Sequence, residues 1–262
     1  MKFHYLLSFA GRSELENMAE RDKLTLLQKI VTLPGSEEAW KAILELLASW
    51  PHSPAKQYAL DWTDSALETW NDELRSVNSS LSYIYDIGGL ADFTRIFRSL
   101  HIDGRETYGN EELTIIAKSP QLSKLRRLSI YQSEIYREGL QALAAAPWLA
   151  GLTHLLLASL TLDREKLAIL FDSTKFNSLS VLTLRNMGIQ HAELLLLSKA
   201  VFLEQLTSLD LSYNMLTGED IVELEASGRL KKLRYLNISH NYITTEEVPQ
   251  LRKLFQHLQL TV

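Results

Sequence analysis

From Leu125 onward the apolar positions recur with a single period. Five segments align without gaps, each starting 27 residues after the last: LRRLSIYQSEI, LTHLLLASLTL, LSVLTLRNMGI, LTSLDLSYNML and LRYLNISHNYI, which begin at Leu125, Leu152, Leu179, Leu206 and Leu233. The first, fourth and sixth positions of each are apolar: Leu125, Leu128, Ile130; Leu152, Leu155, Leu157; Leu179, Leu182, Leu184; Leu206, Leu209, Leu211; and Leu233, Leu236, Ile238. All fifteen are Leu or Ile, where the composition, with 66 such residues in 262, would supply about four. Alternation at the fourth and sixth positions predicts a strand with one buried face.

The second half of each unit keeps the same period. Leu140, Leu167, Leu194, Ile221 and Val248 form one row, Leu143, Leu170, Leu197, Leu224 and Leu251 a second, and Leu149, Phe176, Leu203 and Leu230 a third. Spacings of three and then six place these side chains on one side of a short helix. Asp163, Thr217 and Thr244 are suited to start such helices, with Asp220 and Glu247 at capping-box distance from the two threonines. The period extends backwards to Phe97, Leu100, Ile102, Leu113, Ile116 and Leu122, and forwards to Leu258, Leu260 and Val262. About seven strands are expected, with a possible further one at Leu81 to Ile87.

Residues 1–80 lie outside this period and predict helices. One is expected from about Ser13 to Leu33, a second from Ser36 with Trp40, Ile43, Leu44 and Leu47 on its buried face, and a third from Ser53 with Pro54 in its first turn. The third is expected to carry Tyr58, Trp62, Ala66, Leu67 and Trp70 as an apolar stripe. Four of the five tryptophans fall in this region. The expected organisation is an α-helical N-terminal cap, residues 1–80, followed by a repeat domain, residues 81–262, of about six to seven units.

The repeats resemble leucine-rich repeats of the longer, ribonuclease-inhibitor-like kind, and ALAAAPWLAGLTHLLL is similar to bacterial members of that superfamily. The resemblance runs from about Phe97 to Val262 and implies an α/β solenoid with a parallel sheet on its concave face. The family's ladder asparagine is matched by Asn214 and Asn241. Ser133, Leu160 and Met187 occupy the equivalent places, so an uninterrupted ladder is not expected. Strand spacing also dictates curvature, because strands sit about 4.8 Å apart whereas packed helices need about 8–10 Å.

Composition narrows the chemistry. The absence of cysteine excludes disulfides, thiolate metal sites and cysteine nucleophiles. The seven histidines show no HExxH and no i, i+4 pair, and no phosphate-binding glycine loop or GxSxG is present. No enzyme activity, cofactor or metal is expected. A net charge of -5 argues against nucleic acid as a general partner. The uncharged run from Gln141 to Leu162 contains Pro147 and Gly151, and the repeat accounts for its leucines, so no membrane span is expected. FHYLLSFA at the N-terminus is interrupted by His4 and lacks a convincing cleavage site, which predicts a cytoplasmic protein. The basic clusters Lys124, Arg126, Arg127 and Lys231, Lys232, Arg234 are expected to be solvated.

The expected function is therefore non-enzymatic binding of a folded protein by the concave face, as a scaffold, inhibitor or regulator, with the chain a monomer or weak oligomer. Tyr131, Leu156, Val181, Arg185, Asp210, Tyr213, Tyr235 and His240 are the candidate contact residues. Leu156 and Val181 are expected side by side as an apolar spot flanked by Tyr131 and Arg185, with Tyr213 and Tyr235 as a second aromatic area. The alternative, drawn from the resemblance, is regulation of a small GTPase through Arg185 or Asn186.

Overall fold

The computed structural model describes residues 12–78, 84–86, 89–103, 110–132 and 134–262. Eight strands form one parallel sheet in chain order: β1 (Ser76–Asn78), β4 (Ser99–Asp103), β5 (Arg127–Tyr131), β6 (His154–Ala158), β7 (Val181–Arg185), β8 (Ser208–Asp210), β9 (Tyr235–Asn237) and β10 (Gln259–Thr261). A separate antiparallel pair joins β2 (Tyr85–Asp86) to β3 (Gly89–Leu90). The register follows the repeat: Leu128, Leu155, Leu182, Leu209 and Leu236 oppose one another across successive strands. All fifteen inward Leu and Ile positions are buried.

The sheet starts inside the region assigned to the cap. Ser76, Val77 and Asn78 pair with Ser99, Leu100 and His101, whereas in the stretch expected as a strand, Leu81 to Ile87, the described Tyr85–Asp86 pairs with β3. Of that stretch, residues 81–83 and 87 lie outside the described residues, as does Ser133 of the asparagine column.

Strands β4 to β9 are each followed by a helix: α5 (Asn110–Lys118), α6 (Arg137–Ala145), α7 (Arg164–Phe171), α8 (His191–Leu197), α9 (Gly218–Ala226) and α10 (Val248–Leu254). Asp163 caps α7 by accepting from the Lys166 N–H, and Thr217 and Asp220 form the expected capping box of α9. Thr244 donates its N–H to Glu247 at 2.8 Å, but α10 begins only at Val248, after a turn. The helical rows are buried except for Val248, which is half-buried.

Two hydrogen-bond columns tie the units together. At the strand starts, Thr153, Ser180 and Thr207 donate their hydroxyls to the carbonyls of Arg126, Thr153 and Ser180, at 3.0, 3.2 and 3.1 Å. Each of those carbonyls also accepts two backbone N–H groups from the next unit. At the strand ends, the backbone turns through the left-handed region at Gln132, Ser159, Asn186, Tyr213 and His240, with φ between 47 and 59°. The N–H groups of the first four bond to Ala158, Arg185, Ser212 and Ser239 of the following unit. Five non-glycine residues hold a conformation that costs of order 1 kcal/mol or more each because the stacked units dictate it.

The N-terminal helices are α1 (Arg12–Asn17), α2 (Glu20–Val31), α3 (Glu37–Ala48) and α4 (Pro54–Ala66). The first expected helix is thus two helices, broken where Ala19 is extended. Ser36 and Ser53 cap α3 and α4 as expected. Tyr58 is exposed and Trp62 half-buried, so the apolar stripe on α4 is narrower than its spacing suggests. Trp70 is buried, but beyond α4 on extended backbone. Trp40 packs edge-on to Phe97 at 6.0 Å and donates its indole N–H to Ser76 at 2.6 Å. This joins α3 to the start of the sheet.

Asp64 on α4 makes the deepest polar junction between the two regions. It accepts from Arg75 and Arg98 at 2.9 Å each, and from Lys124. Arg75 also donates to the carbonyls of Ile96 and Leu67. Burial alone would raise the Asp64 pKa, but the donated bonds and cationic charge outweigh it and hold the carboxyl below the usual range. The cluster Lys124, Arg126, Arg127 is therefore not merely solvated: Arg126 bonds to the Gly151 carbonyl and Arg127 pairs with Glu73 at 3.1 Å.

Candidate functional site at the open face of the sheet

Alternation in β5 to β9 turns the leucines toward the helices and leaves the intervening side chains on the opposite face. Its strand-start row is Arg127, His154, Val181, Ser208, Tyr235 and Gln259, and its middle row Ser129, Leu156, Thr183, Asp210, Asn237 and Thr261. The face is unevenly open, and Asn237 of its middle row is buried. Ser99 and Ser129 are buried, whereas Leu156, Val181, Thr183, Asp210 and Tyr235 are half-buried and Arg185, Tyr213 and His240 exposed.

The register corrects the expected apolar pair. Leu156 opposes Ser129 and Thr183, while Val181 opposes His154 and Ser208. The two are diagonal neighbours about 8 Å apart, from one strand spacing and two residue steps. They lie in different rows, because 27 residues beyond Leu156 is Thr183. Tyr131 and Arg185 sit on either side of buried Ala158 at the strand ends, two residues beyond the Leu156 position. Tyr213 and Tyr235 are likewise separated, Tyr235 in the strand-start row and Tyr213 in the turn beyond a strand end.

The structure does bring together Arg185, Tyr213 and His240. The Arg185 guanidinium carbon lies 4.2 Å from the Tyr213 ring centroid, and the His240 ring stacks on Tyr213 at 4.1 Å and 23°. Tyr213 and His240 are equivalent left-handed residues in successive units, which fixes their side chains in parallel. Guanidinium over tyrosine is a favourable cation–π arrangement. Asp210 is engaged internally, accepting from the Ser212 N–H at 2.8 Å and from Asn237 at 3.1 Å. Asn186 donates to Ser159 at 3.0 Å.

Two exposed apolar residues, Met215 and Tyr242, each two positions past a member of this stack, were absent from the sequence-based set. They are also 27 residues apart, so carrying the repeat two positions past the left-handed residue would have found them.

Histidine environments differ along the molecule. Burial lowers the pKa of His101, and lowers that of His154 with help from the Arg127 charge, against Glu73 and Asp72. The exposed ring of His191 is raised by its hydrogen bond to Asp220 at 2.8 Å. We expect NMR titration to place His101 and His154 below the usual imidazole range and His191 above it. For His101 and His154 the depressed folded pKa gives stability that is present above the unfolded value and lost as pH falls through the folded one. The denaturation midpoint should therefore fall between about pH 7 and pH 5, less so in a His101→Gln, His154→Gln protein. An unchanged acid slope in that double variant would contradict this assignment.

Among the described residues no group of three or more His, Asp or Glu side chains is arranged to hold a metal ion, and no helix is long and apolar enough to cross a membrane.

A parallel sheet with helices on one side, built from one repeated unit, defines a repeat solenoid. The leucine-rich-repeat family model matches residues 205–226 and 232–254, the units of Asn214 and Asn241. Those two units are leucine-rich repeats, and the units before them share their strand register and period. No curated protein matches it by sequence. Similar solved structures include a leucine-rich-repeat protein of Leptospira interrogans, 21% identical with a TM-score of 0.38 over 65% of this chain and 38% of that one. Another is a Bacteroides fragilis protein, 16% identical with a TM-score of 0.39 over 64% of this chain and 66% of that one. The chain thus covers less than two thirds of either structure's length.

Proposed function

We propose that the protein is a non-enzymatic interaction module that holds a folded protein partner against the open face of its sheet. One observation carries this reading. Parallel sheets are normally covered on both faces, yet from β6 to β9 the side opposite the helices keeps His154, Leu156, Val181, Thr183, Asp210 and Tyr235 partly exposed. A partner supplies the missing layer. In the same reading the helices of residues 1–80 cap the start of the sheet, supported by the Trp40 bond to Ser76 of β1 and the Asp64 junction.

Capture of partners from native cell extract by the full chain tests the proposal, with a Leu156→Asp, Tyr235→Ala variant as the comparison. Neither residue belongs to the buried rows, so circular dichroism and thermal midpoint should stay close to wild type. Capture should fall at least about tenfold, equivalent to about 1.4 kcal/mol. A folded variant that retains every wild-type partner would rule out the open face as the binding surface.

A further inference from the structure

Resting on that reading, we propose that the Arg185–Tyr213–His240 stack, with Met215 and Tyr242, selects a partner segment presenting a carboxylate side chain beside an apolar one. The Arg185 side chain makes no hydrogen bond or ion pair among the described residues; its guanidinium lies against the face of Tyr213. That contact fixes the guanidinium plane while leaving its N–H groups to meet an acceptor. The chain carries 32 acidic residues against 27 basic, yet among the described residues none forms an ion pair with this cation. Asp210, the nearest acidic residue along the adjacent strand, has its carboxylate committed to Ser212 and Asn237. A planar, pre-oriented guanidinium with free donors matches a carboxylate in two-point geometry.

The apolar half of the recognition comes from the same two units. Tyr213, Met215 and Tyr242 are 41, 43 and 66% exposed and make up three of the six exposed large hydrophobic residues among those described. The repeat aligns Tyr213 with His240 and Met215 with Tyr242, so the second pair follows the first by two residues in the same two units. Concentrated aromatic and thioether surface next to an arginine has the composition of a binding hot spot. A nucleic acid base does not suit it, because both faces of Tyr213 are already covered, by Arg185 and by His240.

Selection of a random peptide display library on the full-length chain tests the inference. The expected consensus is Asp or Glu adjacent to an aliphatic or aromatic residue. A synthetic peptide of that consensus should lose at least about tenfold in affinity when its acid is changed to Gln, and equally on Arg185→Met or Tyr242→Ser protein. Arg185→Glu should reverse the preference toward a peptide with Lys in place of the acid, a gain that misfolding cannot mimic. Failure to select any peptide, a consensus without an acid, or affinity indifferent to Arg185→Met would each overturn the inference. If Arg185→Met retains native partners that Leu156→Asp, Tyr235→Ala loses, the open-face reading stands and this one falls. If both proteins retain all partners, both fall.

Discussion

Asp64→Ala is expected to lower the free energy of unfolding by about 3–5 kcal/mol, measured by urea denaturation of the full chain. The carboxylate balances Arg75 and Arg98, whose side chains are only 1 and 9% exposed, while its own is 11% exposed. Removing it leaves two buried guanidinium groups without the carboxylate that bonds both, with Asp72 acting on Arg75 only through its charge. Arg75 keeps its bonds to the Ile96 and Leu67 carbonyls, so it cannot swing out to water without breaking them. Lys124 is half-exposed, and Lys124→Met should cost no more than about 1 kcal/mol. The depressed Asp64 pKa adds a sign. Its contribution is present above the unfolded carboxyl value and is lost only as pH falls through the lower folded one. The difference between wild type and Asp64→Ala should therefore persist through mildly acidic pH and shrink in strong acid. A loss below about 1 kcal/mol at neutral pH would show that the junction between helices and sheet is held by apolar packing alone.

What the sequence made legible follows from how the core is built. A stacked unit must offer the same apolar side chain at the same place each time, so the inward rows at Leu128, Leu155, Leu182, Leu209 and Leu236 announce both strand and register. The first strand carries little such signal. Ser76–Asn78 contains one apolar residue, Val77, and is held by pairing with β4 and by the neighbouring arginine's bonds to distant carbonyls. The break at Ala19 is equally silent locally: Lys23 is drawn inward to the Ser49 carbonyl at 2.9 Å, a partner 26 residues away. At the open face, Arg185, Tyr213 and His240 were each identifiable, but their stacking depends on the left-handed turn that no single-residue preference for tyrosine would suggest. The pairing of Leu156 with Val181 ignored that strand partners must be one full repeat apart. Met215 and Tyr242 were missed because the inward-facing set ended at the strand turn.

Asn214→Ala is expected to cost about 3 kcal/mol, because it strips hydrogen bonds from two units at once. The Asn214 side-chain oxygen accepts from the N–H groups of Met187 and Ile189 at 3.0 and 3.1 Å, and its amide donates to the carbonyls of Leu184 and Leu211 at 2.7 and 2.8 Å. The residue is 6% exposed, so water does not readily replace these partners. Asn241 makes the same kind of bonds to Leu216, Leu211 and Ile238 but is half-buried, and Asn241→Ala should cost less. The informative comparison is Asn214→Leu, since buried Leu160 and Met187 fill the equivalent positions in earlier units. Leucine restores volume but offers nothing to Met187 and Ile189, so it should recover only the packing part of the loss. Amide exchange at Met187 and Ile189 should quicken in both variants, with exchange at the distant Leu128 changed much less than at these two. If Asn214→Leu matched wild type in stability and exchange, the apolar turns of the earlier units would be full substitutes, and the asparagine bonds would add nothing to the stack.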